Sequence, residues 1–142
     1  KRQETRDKTE EMDDGPQSPR KSQGYGYREL IVWQKGIELG KRIYRLTQEF
    51  PSEEKFGLVS QMRRSAVSIP SNVAEGQARH TTKEFIQFVS HAEGSLAELD
   101  TQVRLAVELG YCSHGDTAGL SALMEEVRRM LNRLRRNLAA KS

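Results

Sequence analysis

The sequence predicts an all-α protein, an antiparallel up-down-up-down bundle of four helices. Two observations carry this. Apolar residues recur at alternating steps of three and four in four successive blocks, which places them on one face of each helix. The connections between blocks are short and carry proline, glycine or capping residues, as neighbouring antiparallel helices require. No block shows strand-like alternation, and no internal repeat is present.

Residues 1–26 read as a disordered tail ahead of a bundle domain spanning 27–142. The tail has almost no large apolar side chain, and Gly15-Pro16, Ser18-Pro19 and Gly24-Tyr25-Gly26 interrupt it. Its charges nearly cancel, so little in it would offset the entropy of ordering. The first helix is expected over Tyr27 to Glu49. Leu30, Trp33, Ile37, Gly40, Tyr44 and Thr47 form one face, and Val32, Leu39, Ile43, Leu46 and Phe50 form a second apolar face. Phe50-Pro51 ends it, because proline disfavours helix at the residue before it.

The second helix is expected over Ser52 to Glu75, with Ser52 as its cap, Glu53 and Glu54 in its first turn, and Gly76 as its stop. Val59, Met62, Ala66, Ile69 and Val73 are its buried stripe, and Pro70 is expected to kink it. The third helix opens on a Thr81-Thr82-Lys83-Glu84 capping box and ends at Gly110. Phe85, Val89, Ala92, Leu96, Leu99, Val103 and Ala106 make its heptad stripe. The fourth starts near Asp116, with Leu120, Leu123, Val127, Leu131, Leu134 and Leu138 facing the core.

Several function classes find no support. No run of about 18 apolar residues offers a membrane span. The charged, polar start does not resemble a secretory signal. Cys112 is the only cysteine, so no internal disulfide can form, which fits a reducing cytoplasm. A di-iron bundle needs Glu-x-x-His pairs, yet His80, His91 and His114 follow Gln77, Phe88 and Tyr111 at that spacing. Neither a His-Glu-x-x-His pair nor a clustered zinc set occurs, so no metal or other cofactor is expected. Cys112 follows a helix end, where no dipole lowers its pKa. Glycine-rich phosphate loops are missing too, so the expectation is a protein that is not an enzyme.

Two polar stripes suggest packing. Gln61, Arg64, Ser68, Asn72 and Glu75 share a face of the second helix, and Glu84, Gln87, His91, Ser95, Glu98 and Gln102 share one on the third. Serine and asparagine are mediocre helix formers, so these stripes read equally as solvated faces or as a hydrogen-bonded contact. In the second reading Arg64 pairs with Glu75, Glu84 or Glu98. The double apolar surface of the first helix exceeds the stripe a surface helix needs, which points to contact with another subunit. The expected interface set is Gln61, Ser68, Asn72, Glu75, Ser95 and Glu98, with Val32, Leu39 and Ile43 from the first helix.

The formal net charge is only +3, but the basic residues are concentrated. Arg128, Arg129, Arg133, Arg135, Arg136 and Lys141 crowd the C-terminal segment, with Arg129, Arg133 and Arg136 on one face. Arg63, Arg64, Arg79 and Lys83 flank the turn between the second and third helices. The candidates for phosphate contact are Arg63, Arg64, Arg79, Lys83, Arg128, Arg129, Arg133 and Arg136. Few aromatics accompany them, so recognition of shape and phosphate is expected rather than base stacking.

The segment Phe50-Pro51-Ser52-Glu53-Glu54, then Gly57-Leu58 and Gln61-Met62-Arg63-Arg64-Ser65-Ala66, resembles the four-helix bundle proteins encoded in intervening sequences of bacterial large-subunit ribosomal RNA genes. Ser68-Ile69-Pro70-Ser71-Asn72-Val73-Ala74-Glu75-Gly76 is similar to the most distinctive motif of that family. Leu30-Ile31-Val32-Trp33-Gln34-Lys35, Lys83-Glu84-Phe85 and Gly94-Ser95-Leu96-Ala97-Glu98-Leu99 extend the likeness from about Tyr27 to Leu138. The family is in turn similar to the accessory variability determinant of diversity-generating retroelements. That likeness implies a basic homopentameric ring that binds a reverse transcriptase and its template RNA without catalysis of its own. The alternatives are an intervening-sequence protein outside that role, or an adaptor that binds only protein.

Overall fold

The computed structural model describes residues 26–141. Among them every regular element is helical. A 3₁₀ turn at Gly26–Glu29 leads into α1 (Ile31–Thr47), and a second at Ser52–Glu54 leads into α2 (Leu58–Gln77). α3 (Thr82–Glu108) and α4 (His114–Lys141) complete the bundle. Each helix packs on two neighbours: α1 and α3 each touch both α2 and α4. The expected four-helix architecture is therefore present, while the tail, apart from Gly26, lies outside the described residues.

The core follows the periodic stripes. Val59, Met62, Ala66, Ile69 and Val73 of α2 are buried, as are Val89, Ala92, Leu96, Leu99, Val103 and Ala106 of α3. Leu120, Leu123, Val127 and Leu131 of α4 join them, with Met124 as an addition. Leu134, Leu138 and Phe85 pack against this core half-buried. Burying side chains of this size stabilises the fold by roughly 1.5–3 kcal/mol each, and adjacent stripes can bury them only against one another.

On α1 the two apolar faces are resolved in a way the sequence did not predict. Val32, Leu39 and Ile43 are buried inside the bundle, together with Gly36, Thr47 and Phe50. They are therefore core residues and are not available to another subunit. The surplus face is the other one, where Ile37 and Tyr44 are 41% and 43% exposed. Gly36 explains the choice. A Cβ there would lie 3.2 Å from Pro70 Cβ, so this face of α1 sits tightly on α2.

Helix ends differ from expectation for local reasons. Ser52 starts a 3₁₀ turn rather than capping α2. The side chain of Glu54 takes the capping role, accepting a hydrogen bond from the Leu58 N–H at 3.0 Å. α2 runs through Pro70, although proline leaves one carbonyl of the preceding turn without its usual N–H. It also passes Gly76, whose value is close approach rather than termination. A Cβ there would meet Phe88 Cβ at 2.8 Å and Phe85 Cδ1 at 2.9 Å. Gly76→Ala should thus push α2 off α3 and cost about 1–3 kcal/mol, read as a lower urea midpoint.

The remaining caps show how short-range chemistry sets the turns. At α3, Thr81 Oγ1 accepts from the Glu84 N–H at 3.1 Å. The end of α3 is a Schellman motif: Tyr111 N–H bonds to the Ala106 carbonyl and Gly110 N–H to that of Val107. Gly110 has φ of 80°, which a side chain would strain. α4 begins two residues before Asp116, on a reciprocal box. Ser113 Oγ accepts from Asp116 N–H, and Asp116 Oδ2 accepts from Ser113 N–H, both at 3.0 Å.

Candidate nucleic-acid interface

The up-down-up-down order brings distant basic residues to one end of the bundle. The α2–α3 turn carries Arg79 and Lys83, and the second half of α4, with Arg133, Arg136 and Lys141, runs toward the same end. The ion pair of Arg135 Nε with Glu93 of α3, at 2.8 Å, fixes that part of α4 against the first half of α3. Arg133 also lies beside Leu30, Ile31 and Val32 at the start of α1.

Ion pairing divides the eight cationic candidates into groups. Arg133, Arg136, Arg64 and Lys83 are exposed and make no ion pair among the described residues. Arg128 and Arg129 both bond to Glu125, whose carboxyl the Arg128 hydrogen bond holds below the usual carboxylate range. Arg79 pairs with Glu75 at 2.8 Å and stacks over the Phe88 ring. These surface pairs are individually weak, so phosphate can compete for Arg128, Arg129 and Arg79.

Arg63 is different. Its Nε donates to Thr47 Oγ1 at 2.9 Å, its Nη2 donates to the Tyr44 carbonyl, and its guanidinium covers the Tyr44 ring at 4.4 Å. It clamps α2 to the end of α1, so it is a poor candidate for phosphate contact.

The polar stripes meet in part. Ser68 Oγ and Ser95 Oγ lie 2.8 Å apart, and Asn72 Nδ2 donates to both the Ser68 carbonyl and its hydroxyl. This half-buried cluster ties α2 to α3 within one subunit. Arg64 makes none of the expected pairs with Glu75, Glu84 or Glu98, and Glu75 turns to Arg79 instead. Gln61 and Glu98 are exposed.

The far end of the bundle is locked by a contact that periodicity does not reveal. Tyr111 Oη donates to Glu54 Oε2 at 2.7 Å, and the Tyr111 ring packs at 5.4 Å from that of Phe50. The Leu58 N–H and then the Tyr111 hydroxyl depress the Glu54 pKa, while the same bond raises that of Tyr111. A depressed carboxylate stabilises the fold above its unfolded pKa and loses that contribution as pH falls through the folded one. Glu54→Gln should therefore lower the melting temperature at neutral pH and flatten its fall below the ordinary carboxylate range. A thermal melt series in pH checks both. Burial, then Asp116, raises the pKa of Cys112, which disfavours its nucleophilic thiolate.

A family model described as 23S rRNA-intervening sequence protein matches residues 28–133. The chain belongs to that family. No curated protein matches the sequence. A crystal structure from Bacteroides thetaiotaomicron, of a protein with unknown function from the S23 ribosomal protein family, shares the fold with a TM-score of 0.66. The two are 21% identical over 72% of this chain and 96% of that chain.

In this member of the intervening-sequence family, the Ser68 to Gly76 motif is a packing device. Ile69 and Val73 enter the core, Pro70 meets Gly36, Ser68 reaches Ser95 with Asn72 bonded to Ser68 behind it, and Gly76 admits Phe85 and Phe88. The family match ends at Arg133, so Arg136 and Lys141 lie beyond it. None of the described helices is long and apolar enough to cross a membrane.

Proposed function

We propose that this family member is a non-catalytic RNA-binding protein that works as a homo-oligomeric ring. The observation that carries the reading is a set of cations without an ion pair among the described residues on the half of the bundle nearest the α2–α3 turn: Lys83 from that turn with Arg133 and Arg136 from α4. Polyanions attract such groups by releasing condensed counterions, and a ring repeats the patch around its circumference. Helix-borne arginines without interleaved aromatics suit phosphate and shape recognition over base readout.

The resemblance to retroelement accessory proteins sharpens the proposal. A pentameric ring would present template RNA to a reverse transcriptase partner and leave the chemistry to that enzyme. Filter binding of the full chain to a structured RNA tests the RNA reading. Affinity should fall steeply between about 50 and 200 mM salt, tenfold or more for each few phosphates neutralised. Affinity indifferent to salt, or no binding at 50 mM, overturns it.

A further inference from the structure

Two apolar features on the surface have no partner among the described residues, and their shapes are opposite. One is a groove of about 630 Å³ between α1 and α2. Trp33, Ile37 and Tyr44 line it from α1, and Val67 and Pro70 from α2. Ile37, Tyr44 and Val67 are each exposed by 41–47%. Gly40 sits on its floor with nothing within 4 Å of where a Cβ would stand. A glycine inside a helix is unfavourable relative to alanine, and no neighbour among the described residues accounts for it. A body approaching from outside would.

The other feature is a projection. Phe56, in the turn ahead of α2, is 89% exposed, and among the described residues its ring meets Lys55, 5.5 Å away. Lys55 apart, the charges flanking the two features are of opposite sign. Arg45, exposed and without an ion pair among the described residues, lines the groove together with Lys41. The turn bearing Phe56 carries Glu53, exposed and without an ion pair among the described residues, and lies close to exposed Glu49.

We infer that the α1–α2 groove of one copy receives the Phe56 turn of a second copy. The inference rests on the self-association proposed above and names its contact. Groove and projection are different surfaces, so the contact is head-to-tail. Each added copy leaves a free groove and a free projection, and such an interface ends only by closing into a ring or continuing as a filament. An aromatic ring entering an apolar groove removes roughly 150–250 Å² of its surface from water. Glu53 would then meet Arg45 at the rim.

The test uses the full chain and two variants at exposed positions, with circular dichroism to verify unchanged helix content. Val67→Trp fills the groove from its own wall, and Phe56→Ala removes the projection. By light scattering, each variant alone should be a single subunit at concentrations where the unaltered chain is a larger assembly. Mixed in equal amounts they should form a complex of two, because one supplies an intact projection and the other an intact groove. If the unaltered chain stays a single subunit, the self-association reading itself fails. If it assembles and Phe56→Ala or Val67→Trp assembles equally well, self-association stands and this contact is overturned. Failure of the mixture to pair also overturns the head-to-tail geometry.

Discussion

Replacing Leu99 with alanine will lower the unfolding free energy by about 2–5 kcal/mol. Leu99 is fully buried in the middle of α3, the helix that packs on both α2 and α4. Truncation removes the transfer free energy of three carbons and leaves a cavity that interlocked helices close poorly. Collapse is further resisted because α2 and α3 are held together by the Ser68, Asn72 and Ser95 cluster. Urea denaturation followed by circular dichroism gives the midpoint and the slope. A shifted midpoint at constant slope is the expected outcome. A loss below about 1 kcal/mol would mean that Leu99 sits at a yielding edge rather than in the core.

Changing Arg129, Arg133 and Arg136 together to glutamate will abolish binding to structured RNA and leave helical content intact. The three share one exposed face of α4, and Arg133 and Arg136 have no ion pair among the described residues to lose. Arg129 gives up only a surface contact with Glu125 at 3.3 Å, so little folding energy is at stake. Changed singly to alanine, each arginine that meets a phosphate of an RNA duplex should flatten the slope of log affinity against log salt by roughly 1. Binding that survives the triple change with its salt slope intact places the site elsewhere, with Arg64, Arg79, Lys83 and Arg128 the remaining exposed cations of the set.

The sequence disclosed the fold because three of the four core stripes are single, long and regular. In α2, α3 and α4 a polar face leaves one orientation open, and the buried residues are those the period selects. α1 has two apolar faces, so period alone could not choose between Val32-Leu39-Ile43 and Trp33-Ile37-Tyr44. The deciding contact, Gly36 on Pro70, joins residues far apart in sequence. The same non-locality hid the Glu54–Tyr111 bond and the Arg63 clamp on Thr47. By contrast, the Ser113-to-Asp116 box that starts α4 was written in local sequence and could have been read there.

For the basic surface, charge clustering was legible and charge availability was not. Spacing shows which arginines share a face. It does not show that Arg63 is committed to α1, or that Arg128 and Arg129 share one carboxylate while Arg133 and Arg136 stay open. Gly76 misled for a related reason. Glycine near the end of a helical block signals a stop, but here two phenylalanines of the next helix needed the room.

Native mass spectrometry of the full chain with a structured RNA tests self-assembly and RNA binding together. The predicted species is a multiple of the 16.2 kDa subunit, five copies if the ring is pentameric, carrying RNA at low salt and shedding it as salt rises. A lone 16.2 kDa subunit without RNA, at every protein and salt concentration tried, would contradict it.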